Sequence, residues 1–254
     1  MRFRWLGTAG FEMESGGTRL LIDPFLSRNA RAFPRQELRP EDFKDIEAVL
    51  VTHGHFDHAR DVPVISRNNG CRVFASGPVC LRLNLRGIPW GRLEPMRGGD
   101  AYRVGPFRVE AVPSRHVVFD LPLVMRTGAR CLARLPEMLG GGTLELAGEV
   151  LGYLLETEGK RLFHLGSAWL GREALGGREV DVFFVPVQGR SDITSLAAHL
   201  VAQVEPKITV PHHHDDFWPP LSQYVDLQPF KLELERLVPW TRLIIPSLNR
   251  WMEL

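Results

Sequence analysis

The feature that most constrains this chain is a strand that ends in metal-binding side chains. Ile46-Glu47-Ala48-Val49-Leu50-Val51-Thr52 is a largely apolar run of strand length, and it leads without a break into His53-Gly54-His55-Phe56-Asp57-His58. His53 and His55 stand two apart at the strand end, where side chains of like parity point the same way. Asp57 and His58 follow after a turn and can aim at a neighbouring position. Imidazole and carboxylate suit zinc and similar divalent ions, and a catalytic site keeps one position open for water. One short run can therefore give two ligands to each of two adjacent metals, provided distant residues complete the shells. A solvated turn is the competing reading, and it does not account for ligand-type residues at this spacing.

Candidates for the distant ligands exist. His116 follows a strand pattern that ends at Ala111-Val112-Pro113, and His212-His213-His214 follow Ile208-Thr209-Val210-Pro211. Each group lies just past an expected strand end, where ligand sites of α/β sheets gather. Taken alone, His116 reads equally well as a surface loop residue. His164 and His199 fall inside an expected strand and an expected helix, and packing is the better account of both.

Strand signals also occur at Phe3 to Leu6, Gly10 to Met13, Leu20 to Ile22, Arg72 to Ala75, Phe107 to Val112, Val150 to Glu156, Arg161 to Leu165 and Val182 to Val187. Between Ser195 and Val204, Leu196, Leu200, Val201 and Val204 share one helical face before Pro206. Strands in consecutive runs with helices interspersed predict a layered α/β sandwich. We expect a single domain over 1–254, with a candidate lid at 119–148. There Arg130 to Leu139 reads as a short helix and Gly140-Gly141-Gly142 as a joint. Ser27 to Pro40, with Arg28, Arg31, Arg35 and Arg39, reads as a solvated basic loop, with reception of an anionic substrate as the alternative.

Charge and cysteine usage narrow the function classes. Thirty-one basic against 30 acidic side chains leave a formal net charge of +1, which removes the usual electrostatic case for nucleic acid. No apolar run suits a signal peptide or a membrane span. Cys71, Cys80 and Cys131 are widely spaced with no CxxC pair, and read as reduced thiols of a cytoplasmic protein. Gly189-Arg190-Ser191-Asp192 lacks the GxSxG elbow of a serine hydrolase.

Thr52-His53-Gly54-His55-Phe56-Asp57-His58 resembles the HxHxDH signature of the metallo-β-lactamase superfamily. Trp5-Leu6-Gly7-Thr8-Ala9-Gly10-Phe11 and Leu21-Ile22-Asp23-Pro24-Phe25 are similar to the opening strands of its ascorbate-phosphate-lactonase and N-acylphosphatidylethanolamine phospholipase D-like branch. Pro211-His212-His213-His214-Asp215-Asp216-Phe217 resembles that branch's last ligand segment. The resemblance implies a four-layer αββα sandwich with the site at the edge of two facing sheets. It implies that His53, His55 and His116 hold one metal, and that Asp57, His58 and a last histidine hold the second. The family register favours His213 there, with His212 the fallback. Asp23 matches a buried aspartate that braces the motif; read without the resemblance, it is an Asp-Pro turn initiator.

Two departures stand out. Many relatives carry a Gly-Asp whose carboxylate bridges both metals, where this chain reads Gly166-Ser167; and Thr8 stands where the opening motif often has histidine. The expected cofactor is one or two divalent ions, zinc first, with manganese or iron as alternatives. A hydroxide held by the metal would attack an ester, lactone or phosphoester of a small molecule, with Asp57 orienting it and taking its proton. Asp215 and Asp216 are candidates to hydrogen-bond ligand imidazoles or add negative charge. Two other functions fit the residues: an N-acyl phospholipid phosphodiesterase, the one reading that brings membrane contact, and a non-catalytic metal-binding or regulatory protein.

Overall fold

A computed structural model of the chain describes residues 1–132 and 147–254. Its first sheet contains β1 (Arg2–Gly7), β2 (Gly10–Ser15), β3 (Thr18–Ile22), β4 (Ala48–Leu50), β5 (Arg72–Ser76) and β6 (Leu93–Met96) in that order, with β14 (Trp251–Glu253) beside β1. The second runs β7 (Ala101–Val104), β8 (Phe107–Ser114), β9 (Val150–Thr157), β10 (Lys160–Leu165), β11 (Val182–Pro186), β12 (Ile208–His212) and β13 (Arg242–Leu243). Each sheet is antiparallel on one side and parallel on the other: β3 to β6 run parallel in the first, β10 to β13 in the second.

Parallel neighbours need crossovers, and crossovers bring helices onto the faces. Among the described residues the α-helices, in chain order, are α1 (Phe56–Ala59), α2 (Val62–Asn69), α3 (Gly77–Leu85), α4 (Leu121–Leu132), α5 (Ile193–Val204) and α6 (Gln228–Leu237). Successive strand residues serve different layers. Leu20 and Ile22 pack between the sheets while Leu21 packs among residues of α2 and α3. Val182 and Phe184 likewise face the first sheet while Phe183 meets α5 and α6. Both faces of these strands are buried, which is why they read as unbroken apolar runs. The architecture is the four-layer αββα sandwich.

Hydrogen bonds sew the two sheets together beside the metal-binding loop. The Tyr153 hydroxyl on β9 donates to Val51 O (2.8 Å) and lies 3.1 Å from Phe74 O. Leu151 N–H donates to Thr52 O at 2.9 Å, and Gly54 N–H to Ala147 O at 2.7 Å. The loop after β4 is thereby fixed against the other sheet.

The expected strands all form, although the 46–52 run pairs only over Ala48–Leu50. α4 starts well before the helix expected from residue 130 and has no buried residue. The remainder of that expected helix and the glycine joint lie outside the described residues. Among the described residues no helix is long and apolar enough to cross a membrane.

Behind the loop, His164 and His212 stack at 4.8 Å between the sheets, both wholly buried. Burial pushes the His164 ring down to about 4 from an ordinary 6.5. The unfolded chain therefore takes up a proton below about 6.5 that the folded chain refuses until about 4. Stability is complete above that window and falls with pH inside it, by up to about 3 kcal/mol from this ring. The urea midpoint is expected to drop between pH 7 and 4.5, and less steeply in His164→Leu. Equal slopes in the two proteins would exclude His164 as the titrating group.

Candidate metal centre

The site is built where β3 and β4 end. Asp23, the residue after β3, is fully buried with φ of 44°. Its carboxylate accepts from Thr52 N–H (2.7 Å), Thr52 Oγ1–H (2.6 Å) and His58 Nδ1 (2.7 Å). It is a brace for the loop rather than a surface turn. Gly166 must be glycine for the same loop to close, because a Cβ there would lie 2.1 Å from Thr52 Oγ1. His55 has extended backbone at the N-terminal cap of α1, so the chain turns between His55 and Asp57.

Five imidazoles and one carboxylate converge on this loop as two groups, His53, His55 and His116, and Asp57, His58 and His213. Within each group the ligand atoms lie within 4.8 Å of one another. Their hydrogen bonds set the ring tautomers. The Thr52 hydroxyl spends its one proton on Asp23, so it can only accept at 3.0 Å from His53 Nδ1–H. His58 Nδ1–H donates to Asp23. His116 Nδ1–H donates to Val117 O (2.7 Å) and His213 Nδ1–H to Gln188 Oε1 (2.9 Å). All four are thus left with Nε2 free as a donor to metal. His53 Nε2 faces His55 Nδ1 at 3.2 Å, and His213 Nε2 faces Asp57 Oδ2 at 3.2 Å.

Electrostatics agree with that donor set. Burial, and then the neighbouring His58, holds His53 far below its ordinary pKa. Burial takes His55 to about 4 against the pull of Asp57, and lowers His116. Burial opposes the charge on Asp57, but His58 and His213 overcome it and keep the carboxyl well below the usual carboxylate range. His58 alone moves upward: Asp23 and Asp57 outweigh its burial. Three rings held neutral beside an ionised carboxylate suit a divalent cation, and a cation on His58 would take the place of the proton that Asp23 and Asp57 favour there, so the residues fit one.

The neighbouring candidates go elsewhere. His212 turns between the sheets onto His164, and His214 stacks on Trp5 at 4.6 Å. Neither Asp215 nor Asp216 hydrogen-bonds a ligand imidazole among the described residues. Asp215 is buried against Arg28 (2.7 Å) and accepts from Thr8 N–H, while Asp216 accepts from Ser222 Oγ. Arg28 is correspondingly buried, contrary to the solvated loop expected around it. Ser167 Oγ accepts from Val117 N–H at 2.9 Å beside His116. His199 is exposed on α5. Sequence reading missed Thr52 and Gln188, since a hydroxyl and an amide acting through a histidine leave no spacing signal. Thr8, Asp23 and His213, all at or beside the site, hold φ of 53°, 44° and 61°, a left-handed conformation that is strained for a non-glycine residue.

A cavity of about 440 Å³ opens over the two groups, with α4, Phe119, Phe217 and Leu221 in its walls. Residues 2–213 match the family described as the β-lactamase superfamily domain. The chain belongs to that superfamily and is one of its metal-dependent hydrolases. It is 30% identical over 241 residues to a UPF0173 metal-dependent hydrolase of Methanopyrus kandleri, covering 93% of each chain. A counterpart from Carboxydothermus hydrogenoformans is 29% identical over 226 residues, 87% of this chain and 88% of the other. In fold the chain is similar to the metallo hydrolase Igni18 of Ignicoccus hospitalis, with TM-score 0.72, 18% identity and coverage of 100% and 98%. It is also similar to the diiron β-hydroxylase CmlA of Streptomyces venezuelae, with TM-score 0.65 and 16% identity, over all of this chain and 54% of that one.

Proposed function

We propose that this enzyme hydrolyses an ester, lactone or phosphoester bond of a small molecule, with two divalent ions, zinc foremost, held by His53, His55 and His116 and by Asp57, His58 and His213. The observation that carries the reading is the convergence of two three-residue donor groups, with four ring tautomers set to leave Nε2 free. Bound there, a divalent ion lowers the pKa of water from about 16 to about 7 and polarises the scissile group. The protein's own part is positional. Asp23 and Thr52 hold the His53 and His58 rings, Gln188 holds His213, and the ionised Asp57 orients the attacking water as a hydrogen-bond acceptor. The unpaired Cys71, Cys80 and Cys131 suit the reducing cytoplasm.

Chromogenic esters, lactones and phosphodiesters, assayed after metal removal and again after zinc or manganese is restored, test the reading. Turnover of at least one class that vanishes on chelation and returns with metal is expected; metal-independent turnover would contradict it. The resemblance to the lactonase and phospholipase D-like branch leaves a second reading, an N-acyl phospholipid phosphodiesterase. The exposed Leu121, Val124 and Met125 on α4, beside the cavity, favour it. Liposome binding with release of an acylated product would separate it from a soluble-substrate hydrolase.

A further inference from the structure

The cavity above the metal-binding residues is walled on one side by a single face of α4, which contributes Leu123, Val124, Thr127, Gly128, Arg130 and Cys131. Phe217, Leu221 and Val225 line it as well, so most of the surface offered to a ligand is apolar. Arg130 is the one charged residue that the helix brings to it. Its Nη1 donates to Gln223 Oε1 at 2.6 Å and its Nη2 reaches Thr127 Oγ1 at 3.3 Å. Its Nε–H is buried and meets no acceptor. Asp216 feels the charge, but its Oδ1 is taken by Ser222. No carboxylate among the described residues forms an ion pair with Arg130.

A guanidinium cannot discharge itself by losing a proton, and a buried N–H without an acceptor is a standing cost to the free protein. The edge formed by Nε–H and an Nη–H is the one that receives carboxylate or phosphate oxygens in parallel. Gln223 and Thr127 hold the group by its outer nitrogens, which fixes the plane and leaves the Nε side to a ligand.

We propose that Arg130 anchors an anionic group of the substrate, so that the substrate is an amphiphile: an apolar body against α4 and Phe217, bearing a carboxylate or phosphate away from the bond that is cleaved. This rests on the hydrolase reading for the cleaved bond, but not for the anion site.

Two matched aryl esters test it on the metal-loaded enzyme: the p-nitrophenyl ester of a neutral six-carbon acid, and its analogue with a terminal carboxylate. A phosphate-terminated analogue tells the two anions apart. The wild type is expected to favour an anionic ester in kcat/KM by about 10- to 100-fold, the range of one charge-assisted contact. In Arg130→Met that ratio falls to near unity, and Arg130→Lys, with charge but no fork, lies between. Binding supplies the second readout. Titration calorimetry of the metal-free protein with the six-carbon dicarboxylate should show an affinity that Arg130→Met weakens at least about tenfold. Equal use of neutral and anionic esters by the wild type, or unchanged dicarboxylate binding in Arg130→Met, overturns the proposal. If no ester is cleaved while Arg130-dependent binding persists, the ester reading fails and the anion site stands.

Discussion

His55→Ala should lose hydrolysis by about a thousandfold or more and purify without its tightly held metal, because the barrier reduction that a metal supplies is several kcal/mol. The geometry says why one ring matters so much. His53 Nε2 and His55 Nδ1 converge at 3.2 Å, and His116 completes the group from the other sheet. Two remaining imidazoles cannot hold the ion against water. The same measurement separates the clustered histidines. His213→Ala should deplete metal, because it removes the partner of Asp57. His214→Ala should keep its metal yet melt earlier, because that ring is buried against Trp5 and its loss leaves a cavity. Elemental analysis with thermal unfolding of all three variants checks this. Full metal content in His55→Ala, or equal depletion in the His213 and His214 variants, would refute the ligand assignment.

Ser167→Asp should tighten the weaker of two metal-binding steps by about 10- to 100-fold. Two divalent ions bring four positive charges into a poorly solvated site. Asp57 supplies one negative charge as a ligand and Asp23 a second through His58. Asp215 cannot help, since Arg28 cancels it. The remaining charge is expensive where water is scarce, so the wild type should bind its two ions in well-separated steps. Position 167 is where a carboxylate could relieve this. Its side chain is buried, lines the cavity, and already accepts an N–H from Val117 that a carboxylate would use equally well. Metal titration of chelator-treated protein should show the two steps, with the second strengthened in the variant. Two equal high-affinity steps in the wild type, or an unmoved second step in Ser167→Asp, would defeat the charge argument.

Much of the candidate site could be read from the sequence because metal ligation makes local demands. Donor spacing after a strand is a one-dimensional signal, and the two distant candidates also followed apolar strand patterns, which are equally local. The choice among His212, His213 and His214 needed a family register, since three adjacent histidines have no internal phase. What escaped were contacts made across the two sheets. Arg28 looked like a member of a solvated loop because its partner Asp215 lies far along the chain. β6, β7, β13 and β14 were missed because, at two to four residues, they are too short to show an alternation. In β6 an edge position tolerates Pro95, whose lack of an N–H would argue against a central strand. α2 and α3 open on Pro63 and Pro78, which suit a helix start but interrupt the apolar periodicity used to find one.

The placement of the donors across two sheets sets an order of assembly. His53, His55, Asp57 and His58 belong to the loop after β4, whereas His116 follows β8 and His213 follows β12. Neither three-residue group exists within one half of the molecule. A half-formed chain offers at most a pair of the proposed donors for either ion, so full coordination requires both halves docked. Until then the nascent site depends on hydrogen bonds alone: Asp23 on Thr52 and His58, Gln188 on His213, Tyr153 across the seam. On this reading each ion binds a receptor assembled from both halves of the chain, and its binding tightens the seam between them.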